Sequence, residues 1–120
     1  MHRIAILAIL IAACATVETG GDRRQAIYNA LQRAHASAPG VETAVGIRAD
    51  ESAEILGTGN GDAVTFSVNP ANFTAIGHTH PSQAGRVNLG CSSEDRQIAR
   101  QLRTYGIPFY VLDSGRLSRC

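Results

Sequence analysis

Phe73-Thr74-Ala75-Ile76-Gly77-His78-Thr79-His80-Pro81 is the stretch on which the rest of the chain depends. Phe73 to Gly77 is apolar and reads as a buried strand running into the first histidine. Residues i and i+2 of a strand share a side, so His78 and His80 project together and Thr79 turns away. Pro81 cannot donate to a ladder and ends the strand. A loop later, Ser92-Ser93-Glu94-Asp95 opens a helix. Taken alone, Ser92 is an ordinary N-cap and Asp95 an ordinary first-turn acid, favoured there by the helix dipole. Taken with the histidines, they suggest two imidazoles and one carboxylate around one zinc ion. Its fourth position would be open, the arrangement of a catalytic rather than a structural site.

His78-Thr79-His80-Pro81 followed by Ser92-x-x-Asp95 resembles the JAMM motif of the MPN+ metalloproteases, also called JAB domains. That family also places a glutamate on an early strand, and Val41-Glu42-Thr43-Ala44-Val45-Gly46-Ile47 looks like it. Three residues separate Glu42 from Gly46 where the family has two, and Glu51 and Glu54 are substitutes. The Ser82–Cys91 loop is a few residues longer than is usual. The resemblance covers most of the chain after residue 22 and implies an α/β (α+β) sandwich of the MPN/JAB, cytidine-deaminase-like kind. A curved, mixed sheet would be flanked by two helices. It also implies a zinc metallopeptidase holding one Zn2+ per chain on His78, His80 and Asp95. Glu42 would be the general base, and Ser92 the hydroxyl that stabilises the oxyanion. Zinc would lower the pKa of its water to about 7, making a nucleophile for peptide or isopeptide-type amides.

Composition permits this. The chain has 120 residues, one domain's worth, and 44% are hydrophobic, which suits a packed core. Every one of the 11 basic residues is Arg, against 10 acids, and no clustered basic excess points to a nucleic-acid partner.

Residues 1–13 read as a targeting segment, a signal peptide. Met1-His2-Arg3 is a basic start, and the apolar Ile4 to Ala13 run is too short to span a bilayer. Ile11-Ala12-Ala13-Cys14 resembles a bacterial lipobox, which would lipidate Cys14 and leave residues 14–21 as a tether. The domain would then be 22–120. Ala13-Cys14-Ala15 also fits an ordinary signal-peptidase site, so the chain is expected in the cell envelope, lipid-anchored or soluble. Cys91 and Cys120 would remain in an oxidising compartment, either bridged or as two free thiols.

Along the body, Asp22 to Ser37 reads as an amphipathic helix with Asp22 as N-cap and Ile27, Leu31, Ala34 and Ala38 as its stripe. His35 is a surface residue. Val41–Ala49 and Ala53–Leu56 read as a hairpin, residues 57–62 as loop, Ala63–Val68 as an alternating strand and Asn69–Asn72 as a turn. Ser93–Tyr105 reads as the second helix, burying Ile98, Leu102 and Tyr105, with Arg96, Arg100 and Arg103 in solvent. Phe109–Leu112 is a strongly β-prone interior strand. Asp113-Ser114-Gly115 turns it into an edge strand at Arg116–Ser118. A binding module without turnover, or a toxin- or competition-associated domain, would use the same fold.

Overall fold

The computed structural model describes residues 3–6, 20–59, 64–81 and 90–120. Cys14, the greater part of the tether and residues 82–89 of the long loop lie outside them. The elements are β1 (Arg3–Ile6), α1 (Gly20–Ser37), β2 (Thr43–Ile47), β3 (Ala53–Thr58), β4 (Thr65–Val68), a 3-10 turn (Pro70–Asn72), β5 (Ala75–Thr79), α2 (Ser93–Arg103), β6 (Phe109–Asp113) and β7 (Arg116–Arg119). Five strands form one mixed sheet in the order β3-β2-β5-β6-β7, parallel only between β5 and β6. This is a small α+β fold with two helices, one on each face.

Alternation along the strands divides the core. Val45, Ile47, Ala75, Tyr110 and Leu112 point to one face and pack on Ile27, Ala30, Leu31 and Ala34 of α1. Ala44, Ile76, Phe109 and Val111 point to the other and pack on Ile98, Ala99 and Leu102 of α2. These positions follow the strand period of two and the helix period of 3.6. Gly77 lets α1 come close: a Cβ there would lie 2.8 Å from the Tyr110 carbonyl oxygen and 3.0 Å from Leu31 Cδ1. The parallel pair β5 and β6 needs a crossover, and α2 supplies it. The α2 N-terminus therefore lies near the carboxyl ends of both strands, where open α/β sheets bind ligands.

Several elements differ from their sequence-based bounds. Helix α1 starts at Gly20, so Asp22 lies within it rather than capping it. Strand β3 runs on through Gly57 and Thr58, hydrogen-bonded to β2 across a register shift at Ala44/Val45. Helix α2 stops at Arg103, and the Leu102 carbonyl accepts from the N–H groups of both Tyr105 and Ile107. That closure ends the helical stripe, so Tyr105 is 42% exposed rather than buried. Gly106, at φ +74°, takes the left-handed conformation that turns the chain into β6. Strand β4 alternates as expected, burying Phe66 and Val68. Among the described residues it joins no strand of the main sheet and pairs in parallel with β1, inside the segment read as a leader. Cys91 and Cys120 form a disulfide. Among the described residues no helix is long and apolar enough to cross a membrane.

Candidate metal centre

His78 and His80 lie at the carboxyl end of β5, on the α2 face of the sheet, both buried. Glu42, on the same face as Ala44, is buried just ahead of β2. Thr79 points away from the histidines and fixes their neighbour: its hydroxyl accepts from Thr43 N–H at 3.0 Å and donates to the Val41 carbonyl at 3.4 Å. The backbone on either side of Glu42 is thereby tied to β5. Glu42, His78 and His80 each bring one potential ligand atom to within 4.8 Å of the others, a buried group able to hold a metal ion.

Asp95 comes from α2. Ser92 Oγ accepts from Asp95 N–H at 3.1 Å, and Asp95 Oδ2 accepts from Ser92 N–H at 2.8 Å. This reciprocal capping box satisfies two helix-start donors and fixes the Asp95 rotamer. The fixed carboxylate meets both imidazoles, with Oδ1 2.5 Å from His78 Nε2 and Oδ2 3.1 Å from His80 Nε2.

The far edges of the rings determine what those Nε2 atoms carry. His78 Nδ1 lies 3.1 Å from the Thr79 carbonyl and 2.9 Å from Glu42 Oε1. His80 Nδ1 lies 2.7 Å from Asp113 Oδ2. A carbonyl and a carboxylate only accept, so each ring meets acceptors on both edges, and a neutral ring that donates from Nδ1 has none to donate from Nε2. In the neutral rings both Nε2 lone pairs then face the Asp95 carboxylate. That concentration of negative charge, with Asp95 fully buried, needs a cation at its centre. A proton can serve. Burial disfavours the His78 imidazolium, but Asp95 and Glu42 outweigh it and push His78 up to about 9. Burial likewise disfavours the Asp95 anion, but the bonds from His78 and His80 hold it well below the usual carboxylate range. A divalent ion held by two imidazole nitrogens and a carboxylate meets the same demand, and the donor set suits zinc.

Of the residues singled out in the sequence, Glu42, His78, His80, Ser92 and Asp95 are brought together here. Glu51 and Glu54 are not: both are exposed, and Glu54 pairs with Arg48 in the hairpin. Asp113 went unrecognised, because Asp113-Ser114-Gly115 has the composition of a turn. It is the last residue of β6, buried, on the same face as Phe109 and Val111. Besides His80 it accepts from Gly90 N–H at 3.3 Å and from the Ser114 hydroxyl at 3.1 Å. A carboxylate behind a ligand imidazole is the usual support of a zinc-binding histidine.

Comparison of this chain with protein-family models, with curated proteins and with solved structures gave no match in any of the three.

Proposed function

We propose that the chain is a zinc-dependent hydrolase of peptide or isopeptide-type amide bonds, of the JAMM type, exported to the cell envelope and anchored through Cys14. The observation that carries the reading is the pair of Nε2 atoms aimed at one buried carboxylate, with acceptors against both Nδ1 atoms from behind. His78, His80 and Asp95 would hold the ion, and Asp113 would hold His80 in the required tautomer. Bound zinc supplies Lewis acidity, which polarises a carbonyl and brings the pKa of water down to about 7. Glu42 takes a proton from the attacking water and returns it to the leaving amine. The Ser92 oxygen accepts from Asp95 N–H, and its own O–H would turn to the developing oxyanion.

One observation favours a second reading, a metal-binding envelope module without turnover. The close contact of Glu42 with His78 is to Nδ1, at 2.9 Å, on the ring edge opposite the one that faces Asp95. There it supports the ring rather than meeting a water. The Glu42→Gln variant separates the two. Under the hydrolase reading it binds one zinc per chain and loses cleavage of a peptide that the wild type cleaves. Ser92→Ala should lose about 10²–10³ in kcat, the typical cost of one oxyanion donor. His78→Ala or Asp95→Ala should lose the zinc. Metal analysis after gentle isolation, showing no stoichiometric zinc and none taken up, would overturn both readings.

A further inference from the structure

Beside the candidate metal centre is a cavity of about 510 Å³, between the start of α2 and the edge strand β7. Its described lining includes three guanidinium groups: Arg96 from the first turn of α2, and Arg116 and Arg119 from β7. None of the three makes an ion pair among the described residues, and all are solvent-accessible. Glu94 is the one acidic side chain on that lining. Even with a terminal carboxylate on Cys120 counted against them, the three arginines leave the wall net positive. The Cys91–Cys120 disulfide joins the loop before α2 to the end of β7, fixing the two sides of the cavity relative to one another. Ser92 is shared: it lines the cavity and caps Asp95.

From this juxtaposition we propose that the cavity is a substrate subsite for a carboxylate, so that the preferred substrate is an acidic peptide whose charged group flanks the amide presented at the metal centre. Arginine suits the role because its planar fork can bind both carboxylate oxygens at once. The volume falls in the usual range of small-ligand sites, large enough for one acidic residue and its neighbour. Because Ser92 borders both places, a carboxylate held by the arginines leaves the adjoining backbone beside the imidazoles. The inference rests on the hydrolase reading for its orientation, but binding tests it separately.

The test uses the full-length chain with two dansyl tetrapeptides, Ala-Ala-Ala-Glu with its carboxylates free and Ala-Ala-Ala-Gln as the C-terminal amide. Binding is followed by fluorescence anisotropy with zinc and again with a chelator. The acidic peptide should bind about tenfold or more tightly than the neutral one, with or without the metal, and the preference should shrink with added salt. The R116Q/R119Q double variant should lose the preference, and Arg96→Gln alone should weaken it, while zinc binding stays unchanged. Equal binding of the two peptides overturns the subsite, as does a preference that survives in both variants. So does inorganic phosphate binding more tightly than the acidic peptide, since the cavity would then be a simple anion site. Selective binding without cleavage would remove the hydrolase and leave the subsite; equal cleavage of both peptides with no binding preference would do the reverse.

Discussion

Replacing Asp113 probes the geometry of the candidate metal centre most directly, because this residue meets the site through His80. Its Oδ2 accepts the His80 Nδ1 proton at 2.7 Å and the Gly90 N–H at 3.3 Å, with both Asp113 and His80 buried. Asn keeps the shape and one acceptor oxygen but removes the charge. A hydrogen bond to a charged group is worth about 1.5–3 kcal/mol and a neutral one about 0.5–1.5 kcal/mol, so Asp113→Asn should cost about 1 kcal/mol of stability. Asp113→Ala leaves the His80 proton without that acceptor and should cost about 2 kcal/mol. The effect on the metal should be larger than the effect on the fold. With its Nδ1 unsupported, His80 can adopt the tautomer that puts the proton on Nε2, where the ion should be. Loss of such a supporting carboxylate typically reduces metal affinity about 10- to 100-fold. Zinc affinity is read by competition with a chromophoric chelator and stability by urea unfolding of the metal-free protein. Ser114→Ala is the control: it removes only the contact to Oδ1 at 3.1 Å and should leave zinc affinity within about twofold of wild type. If folded Asp113→Ala binds zinc as wild type does, the Asp113 contact does not set which His80 nitrogen faces the ion.

Three other perturbations bear on the same arrangement. In the metal-free protein, against the effect of burial, Asp95 and Glu42 push His78 up to about 9 from its ordinary 6.5. The raised value gives stability that is complete below pH 6.5 and lost by about 9, amounting to about 3 kcal/mol. Asp95 runs the other way: its depressed value stabilises above the ordinary carboxylate pKa and is lost in acid. Urea midpoints in chelator should therefore fall between pH 6.5 and 9, whereas saturating zinc, which replaces the proton, should remove that fall; a rise in chelator would count against the His78 assignment. Reducing the Cys91–Cys120 bridge, which spans a sequence separation of 29, should cost about 3–4 kcal/mol by loop entropy, read by unfolding with and without reductant. Zinc affinity should weaken as well, because Cys91 adjoins Ser92; unchanged affinity would show that the helix start holds without the bridge. Gly77→Val would press on the Tyr110 carbonyl and Leu31 and should destabilise by about 3 kcal/mol or more; a smaller thermal shift than Ala44→Gly would mean α1 is not seated this closely.

Why the imidazoles were legible in the sequence and Asp113 was not has a physical explanation. The facing of a residue on its own element depends on a local period, and local periods are written in the chain. Thus Ile76, His78 and His80 declare one side of a strand, Ile98 and Leu102 one side of a helix, and Ser92-x-x-Asp95 a capping box. Which faces meet depends on register between segments far apart in sequence. The alignment of His78 with Val111 and Thr79 with Leu112 brings the end of β6 beside the end of β5, and nothing local to Val111-Leu112-Asp113-Ser114-Gly115 encodes it. The available signal was the parity of Phe109, Val111 and Asp113, which needs the strand to extend one residue into what its composition marks as a turn. The pairing of β4 with β1 was hidden for the same reason: alternation identified a strand and left its partner open. Tyr105 shows the converse error, a local period carried past the residue where backbone closure at the Leu102 carbonyl ends the helix. Glu42 falls between the two cases. Its identity as an acid ahead of a strand was readable. Its choice over Glu51 and Glu54 follows from Thr79, whose hydroxyl ties the backbone on both sides of Glu42 to the histidine strand. The candidate metal centre therefore combines locally declared parts through non-local ties, among them Thr79 to the Glu42 segment and Asp113 to His80.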